Sequence, residues 1–103
     1  LYHRMAHRSA HAGVAQAALW LEESDPKTSV TFVFLSHTGS TIQQGLLGPI
    51  ASGDHAVNGT TPAQIDRLAS ITAGRTIDSL VMSIGGNDIG FADVLTDLVF
   101  AEN

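Results

Sequence analysis

Small and apolar residues recur at three- and four-residue steps between His7 and Glu23 (Ala10, Val14, Ala17, Ala18, Leu21), with Gln16, Glu22 and Glu23 elsewhere on the wheel. This spacing predicts a helix. It should stop near Ser24-Asp25-Pro26, because the residue before a proline is pushed out of the helical region. Val30 to Leu35 is a short run of β-branched and aromatic residues without alternation, the pattern of a strand buried on both faces of a parallel sheet. Five glycines, Pro49 and the turn pair Asn58-Gly59 fall between Ser36 and Thr61, so that stretch reads as a long loop with room for a helical turn around Thr41 to Leu47.

A second helix is expected from Thr61-Pro62-Ala63-Gln64, with Thr61 as cap, Pro62 at the first helical position and Gln64 completing a capping box. Ile65, Leu68, Ala69 and Thr72 would form its inward face, and Gly74 could end it in a left-handed conformation. Ser79 to Ile84 reads as another buried strand running into Gly85-Gly86-Asn87-Asp88. Phe91, Val94, Leu95, Leu98 and Val99 then keep helical spacing, so a third helix is expected near Asp88, whose carboxylate can cap it. The alternation of helices and strands points to an α/β fold with a parallel sheet and right-handed crossovers.

Composition narrows the function classes. With 103 residues the chain has room for one small domain, and any missing layer would leave its core marginal. A 44% apolar content with 15% charged residues is that of a globular segment. Ten acidic residues are spread along the chain against five Lys and Arg, for a net charge of −5. No basic stripe exists to neutralise phosphates, which argues against nucleic-acid binding. No run reaches the length of a transmembrane segment, and Leu1 to Ala12 is too polar for a signal peptide core. The absence of cysteine excludes disulfides and thiolate chemistry within the chain. A first residue that is Leu and not Met suggests an internal piece of a longer protein.

The candidate chemistry lies where the two expected strands end. In open α/β sheets ligands bind outside the carboxyl ends of strands, and here those ends lead into Ser36-His37-Thr38-Gly39-Ser40-Thr41 and Gly85-Gly86-Asn87-Asp88. A glycine lets a backbone N–H approach a ligand closely, and an asparagine amide is a neutral donor that needs no deprotonation. Two such donors converging on one point make an oxyanion hole.

These residues carry a resemblance. Ser83-Ile84-Gly85-Gly86-Asn87-Asp88-Ile89-Gly90-Phe91 resembles the G-x-N-D block of the SGNH, or GDSL-type, hydrolases, a family of serine esterases and lipases. Leu35-Ser36-His37-Thr38-Gly39-Ser40-Thr41-Ile42 is similar to the block carrying the family's second oxyanion glycine, His7-Arg8-Ser9 to its C-H-R-S segment, and Pro62-Ala63-Gln64-Ile65-Asp66-Arg67-Leu68 to its P-Q-I-x-x-L helix. The resemblance implies a three-layer α/β/α flavodoxin-like fold, truncated, with residues 1–103 forming a single domain incomplete at both ends. It implies hydrolysis of a small-molecule or lipid carboxylic ester through a serine acyl-enzyme, without metal or other cofactor. Gly39 would supply a backbone donor and Asn87 a side-chain donor to the oxyanion, with Gly85, Gly86 and Asp88 shaping the turn. Secretion or a periplasmic location follows from the resemblance alone, and oligomeric state does not follow at all. Ala6 and His37 stand where many members have cysteines, so a disulfide found in some of them cannot form here.

Two parts of the family's machinery are absent from the sequence. No G-D-S block is present, and no Asp is followed three residues later by His. The family's serine-bearing strand lies between the two strands expected here, so the segment alone should be inactive and poorly folded, with exposed sheet edges.

Other readings compete residue by residue. A glycine pair before Asn-Asp is also an ordinary strand-to-helix turn, and Asp88 is better suited to capping than to acid catalysis. His3, His7 and His11 would share one helical face and could hold a metal, but they lack an acidic or thiolate partner. His37 reads as loop structure, because a base must reach a nucleophile. Gly53-Asp54-His55 lacks the serine of a G-D-S block, and Ser36, Ser40 and Ser83 sit on no nucleophile elbow. Asn58-Gly59-Thr60 fits the glycosylation pattern and no more. The runner-up functions are a flavodoxin-like anion- or phosphate-binding module and a catalytically dead relative used for interaction.

Overall fold

The computed structural model describes residues 1–101. Helix α1 spans Tyr2–Met5, α2 Gly13–Ser24, α3 Gln64–Ile71 and α4 Phe91–Phe100, with two-residue strands β1 at Ile50–Ala51 and β2 at Thr60–Thr61. The strands pair antiparallel, Ile50 opposite Thr61 and Ala51 opposite Thr60. The parallel flavodoxin-like sheet expected from the order of elements is absent among the described residues, which are helix and coil apart from this one ribbon.

The two expected strands show why. Residues 30–35 and 79–84 belong to no helix or ladder, and neither takes part in a backbone–backbone hydrogen bond among the described residues. A helix closes its hydrogen bonds within itself, whereas a strand exists only when another strand meets its N–H and C=O groups. Here the two segments do not pair with each other, and Leu80, Val81 and Met82 are 65%, 76% and 63% exposed. A side-chain bond from Arg75 Nη2 to Thr31 Oγ1, at 3.2 Å, joins a residue of the first segment to one four positions before the second.

The helices are nearer to expectation, with shifted ends. The first does not run continuously from His7: α1 stops at Met5, His7 takes φ 57 and α2 begins at Gly13. That left-handed residue breaks the helical path, so His3, His7 and His11 do not share one helical face. The α2 terminus at Ser24, with Asp25 extended at φ −140, falls at the proline boundary. Thr61 is not the cap of α3, because it pairs in β2. The free N–H groups at the start of α3 are met instead by the chain before it, Gln64 N–H donating to Gly45 O at 2.8 Å and Ile65 N–H to Leu46 O at 3.2 Å. The side chain of Gln64 therefore does not close a capping box and is free to bond elsewhere. The expected inward face of α3 is open at Ile65, which is 49% exposed. Helix α4 begins three residues after Asp88, with Gly90 at φ 70 as its N-cap, and its apolar face is exposed.

Burial is confined to one small nucleus. Met5, Ala6 and Ala63 are the buried apolar residues among those described, and His37, Ser40 and Thr61 the buried polar ones. Met5 O accepts from Gly53 N–H at 2.7 Å and Ala6 O from Thr38 N–H at 3.1 Å, so the end of α1 is tied to two points of the long loop. The rest of the molecule is open. Its 7761 Å² of accessible surface compares with about 5,500 Å² for a compact protein of this mass, and its radius of gyration of 16.4 Å with about 13 Å for a compact chain of this length. No described helix is long and apolar enough to cross a membrane.

An ion pair fastens α1 to the long loop, Arg4 Nε donating to Asp54 Oδ2. The Asp54 carboxyl is held below its usual value of 3.8, first by the N–H of Ala56 and then by Arg4. A carboxyl with a folded pKa below its unfolded one stabilises the fold above the unfolded value, and that contribution fades as pH falls through the folded value. Carboxyl NMR titration should show Asp54 ionising below an ordinary aspartate in the wild-type chain, and closer to the ordinary value in Arg4→Gln.

Candidate functional site

Although no sheet presents them, the two glycine-bearing loops meet. The turn at Gly85 has φ 111, a backbone conformation that residues with a Cβ rarely adopt. It is closed by Ile89 N–H to Gly85 O at 3.3 Å and Gly90 N–H to Asn87 O at 3.2 Å. Asn87 and Asp88 lie within this turn and both reach the other loop. Asn87 Nδ2 donates to Ser40 O at 2.9 Å. The Asp88 carboxylate accepts the N–H of Ile42 through both oxygens, at 3.0 and 3.2 Å. Asp88 thus does not cap α4: it binds the glycine loop, 46 residues away in sequence.

Gly39 lies one residue before the carbonyl that Asn87 holds. It is left-handed at φ 73, and a Cβ placed on it would meet nothing within 4 Å. Its N–H is donated to no backbone acceptor among the described residues. An asparagine amide has two N–H groups, and Ser40 O occupies one of those on Asn87. Each of the two expected donors therefore keeps an N–H available, on loops tied together by three hydrogen bonds. Gly86 has no atom within 4 Å of an ideal Cβ, so the face of the second loop is open as well.

Ser40 is the hub of this arrangement. The residue is 6% exposed, its carbonyl accepts from Asn87 and its Oγ accepts from Gln64 Nε2 at 3.2 Å. Gly45 packs directly against it, since a Cβ there would lie 2.3 Å from Ser40 Oγ and 2.8 Å from Ser40 Cβ. The sequence points to neither role: Ser40 reads as a turn serine and Gln64 as a capping residue. Only the local start of α3, where backbone carbonyls replace the side-chain cap, releases Gln64 toward Ser40.

The remaining candidates are dispersed. His37 is buried in the nucleus, with Nδ1 2.6 Å from Thr38 O. Ser36 is exposed, its carbonyl accepting from Arg8 Nε at 2.7 Å, and Ser83 lies on the unpaired segment 79–84. Asp54 of Gly53-Asp54-His55 is engaged with Arg4 and the N–H of Ala56. The glycine pair Gly85-Gly86 precedes α4 by several residues and so does not sit at its N-terminus, which removes the helix-end geometry on which the phosphate-binding alternative depended. Among the described residues, no group of three or more His, Cys, Asp or Glu is placed to hold a metal. No family model, curated protein or solved structure matches the chain.

Proposed function

We propose that this chain supplies two oxyanion donors, the Gly39 backbone N–H and the Asn87 side-chain amide, to a hydrolase that cleaves carboxylic esters through a serine acyl-enzyme. The observation that carries this reading is the 2.9 Å bond from Asn87 Nδ2 to Ser40 O, which brings the asparagine block to the glycine loop. The reading rests on the loops and on the sequence blocks that resemble the SGNH hydrolases. It needs no sheet.

The chemistry is that of charge stabilisation. When a nucleophile adds to an ester carbonyl, negative charge gathers on the former carbonyl oxygen, and fixed N–H donors aimed at that oxygen lower the barrier. Asn87 suits the task because Ser40 O fixes the plane of its amide, so that the second N–H points in a set direction before substrate arrives. Asp88 holds the same turn against Ile42, which restrains the donor at a second point. The same two donors serve acylation and deacylation, since both pass through a tetrahedral oxyanion. Gly85 and Gly86 shape the turn without adding side-chain bulk to the open face.

The nucleophile and its base are not in the 103-residue sequence, which holds no G-D-S block and no D-x-x-H. Donors alone do not form an acyl-enzyme. The chain by itself should therefore hydrolyse p-nitrophenyl acetate no faster than buffer, while a longer chain that includes a G-D-S block upstream and a D-x-x-H block downstream should turn it over. Turnover by the 103-residue chain, with a burst of nitrophenol, would show that one of its own residues is the nucleophile and overturn this division of roles.

A further inference from the structure

The turn pair Asn58-Gly59 is the one asparagine–glycine step in the sequence, and its surroundings leave it open to chemistry of its own. Asn58 is exposed. Together with Gly59 it lines an open cleft of about 270 Å³, so water reaches both residues. The side-chain bonds of this loop run among Ser52, Asp54 and Ala56 and do not hold the Asn58 amide. The Gly59 N–H donates to no backbone acceptor among the described residues. Gly59 has no side chain to keep its nitrogen from the Asn58 side-chain carbonyl, and its φ of 122 is a conformation that glycine takes freely.

The same residues border the buried nucleus. Gly59 O accepts the N–H of Ser52 at 3.0 Å and so closes the β1–β2 ribbon, in which Ala51 pairs with Thr60 and Ile50 with Thr61. Thr61 and Ala63 are both buried. A Cβ on Gly59 would lie 3.3 Å from Met5 Cε, so the turn also sits against the buried methionine.

We propose that Asn58-Gly59 is a self-modification site, at which spontaneous deamidation makes an isoaspartyl link and unfastens the ribbon from the nucleus. The Gly59 nitrogen loses its proton to hydroxide and attacks Asn58 Cγ; a C–N bond forms, the Cγ–Nδ2 bond breaks and ammonia leaves. The cyclic imide then adds water. Opening at one carbonyl gives aspartate, with the main chain as before. Opening at the other gives isoaspartate, in which the main chain runs through Cγ and gains a CH2 group. Either product adds a negative charge to a chain already at −5. Only the isoaspartyl product displaces Gly59 O from Ser52, because the added CH2 lies just before Gly59. Asn87 is not equivalent: it precedes Asp88, whose side chain crowds the attacking nitrogen, and its own amide is held by Ser40 O. The site stands independently of ester hydrolysis.

The test incubates the whole chain in mildly alkaline buffer and follows each asparagine by peptide mass spectrometry, with an isoaspartyl methyltransferase assay to mark isoaspartate. Asn58 should convert in the folded chain at a rate close to that in the same chain unfolded in urea, with Asn87 intact. In the isoaspartyl form, purified by ion exchange, the Ser52 N–H should exchange with solvent about tenfold faster than in the unmodified chain, the factor of one lost hydrogen bond. Asn58→Asp, which carries the charge without the CH2 group, should protect Ser52 as the unmodified chain does. Asn58→Gln should stay unmodified over the same time. Asn58 intact in the folded chain while it converts in urea would show that the fold shields the site and overturn the proposal. Equal Ser52 exchange in the isoaspartyl and unmodified chains would overturn the link to the nucleus. The same acceleration in Asn58→Asp would overturn it too, by marking a response to charge alone.

Discussion

Asn87→Ala, made in a chain that also carries the nucleophile and base, should lower kcat for a small nitrophenyl ester by about 10² to 10³, the usual cost of one oxyanion donor. The loss belongs in kcat because the donor meets full negative charge only in the transition state, while the ground-state carbonyl gains little from it. The turn itself should survive. Asp88 still accepts the Ile42 N–H through both oxygens, and Gly85 still closes it through Ile89. Asn87→Asp is the sharper variant: it keeps the size of the side chain but replaces the N–H groups with carboxylate oxygens, which face the Ser40 carbonyl oxygen and the developing oxyanion with like charge. Its rate should be no higher than that of the alanine variant. A variant that raises KM and leaves kcat intact would place Asn87 in substrate binding and remove the oxyanion role.

Gly45→Ala should be the most damaging glycine substitution in the chain. The residue has φ 115, and a Cβ would lie 2.3 Å from Ser40 Oγ, 2.8 Å from Ser40 Cβ and 3.2 Å from Ser40 Cα. Backbone strain of about 1 to 3 kcal/mol adds to overpacking of similar size, because Ser40 is buried and held by both Gln64 and Asn87. A loss of about 3 kcal/mol in urea unfolding of the nucleophile-containing chain is expected on these two grounds. Since the atom displaced is on the hub that fixes Asn87, kcat should fall as well, by up to about 10²-fold for a displacement near 1 Å. Gly39→Ala provides the comparison. Its φ of 73 is equally left-handed, but a Cβ there meets open space, so only the conformational cost of about 1 to 2 kcal/mol applies. If the two variants were equally stable, the packing of Gly45 on Ser40 would not be what positions this loop.

The elements differ in how far local patterning reaches. Helices α2, α3 and α4 are visible in the spacing of Val14 to Leu21, Ile65 to Leu68 and Phe91 to Val99, because a helix satisfies its own backbone and needs only a sequence that tolerates it. Their ends are less visible. His7 breaks the first helix by a left-handed turn, and Gly45 and Leu46 replace the expected cap of α3 with their carbonyls. The second of these depends on a contact between residues nearly twenty positions apart. The runs Val30 to Leu35 and Ser79 to Ile84 have the composition of buried strands, yet they form no ladder, since composition records a preference for burial and cannot supply the neighbour that realises it.

The candidate site divides along the same line. Gly39, Gly85, Asn87 and Asp88 stand out in the sequence through glycine turns and a neutral amide donor. Asp88 was legible as an acceptor for backbone N–H groups, but the one it serves belongs to Ile42 and not to α4. The roles of Ser40 and Gln64 were not legible, because no local spacing relates a serine in one loop to a glutamine 24 residues on.

What the amino-acid order determines by itself is chemical type and local conformation: which segments coil into helices, where glycines permit unusual turns, and which side chains carry neutral donors. What only the tertiary structure decides is pairing. It brings Asn87 to Ser40 and Asp88 to Ile42, and leaves residues 30–35 and 79–84 unpaired. The physical reason is that hydrogen bonds across long sequence separations must offset the entropy of closing long loops. Whether they do depends on everything else packed around them, which no local pattern contains.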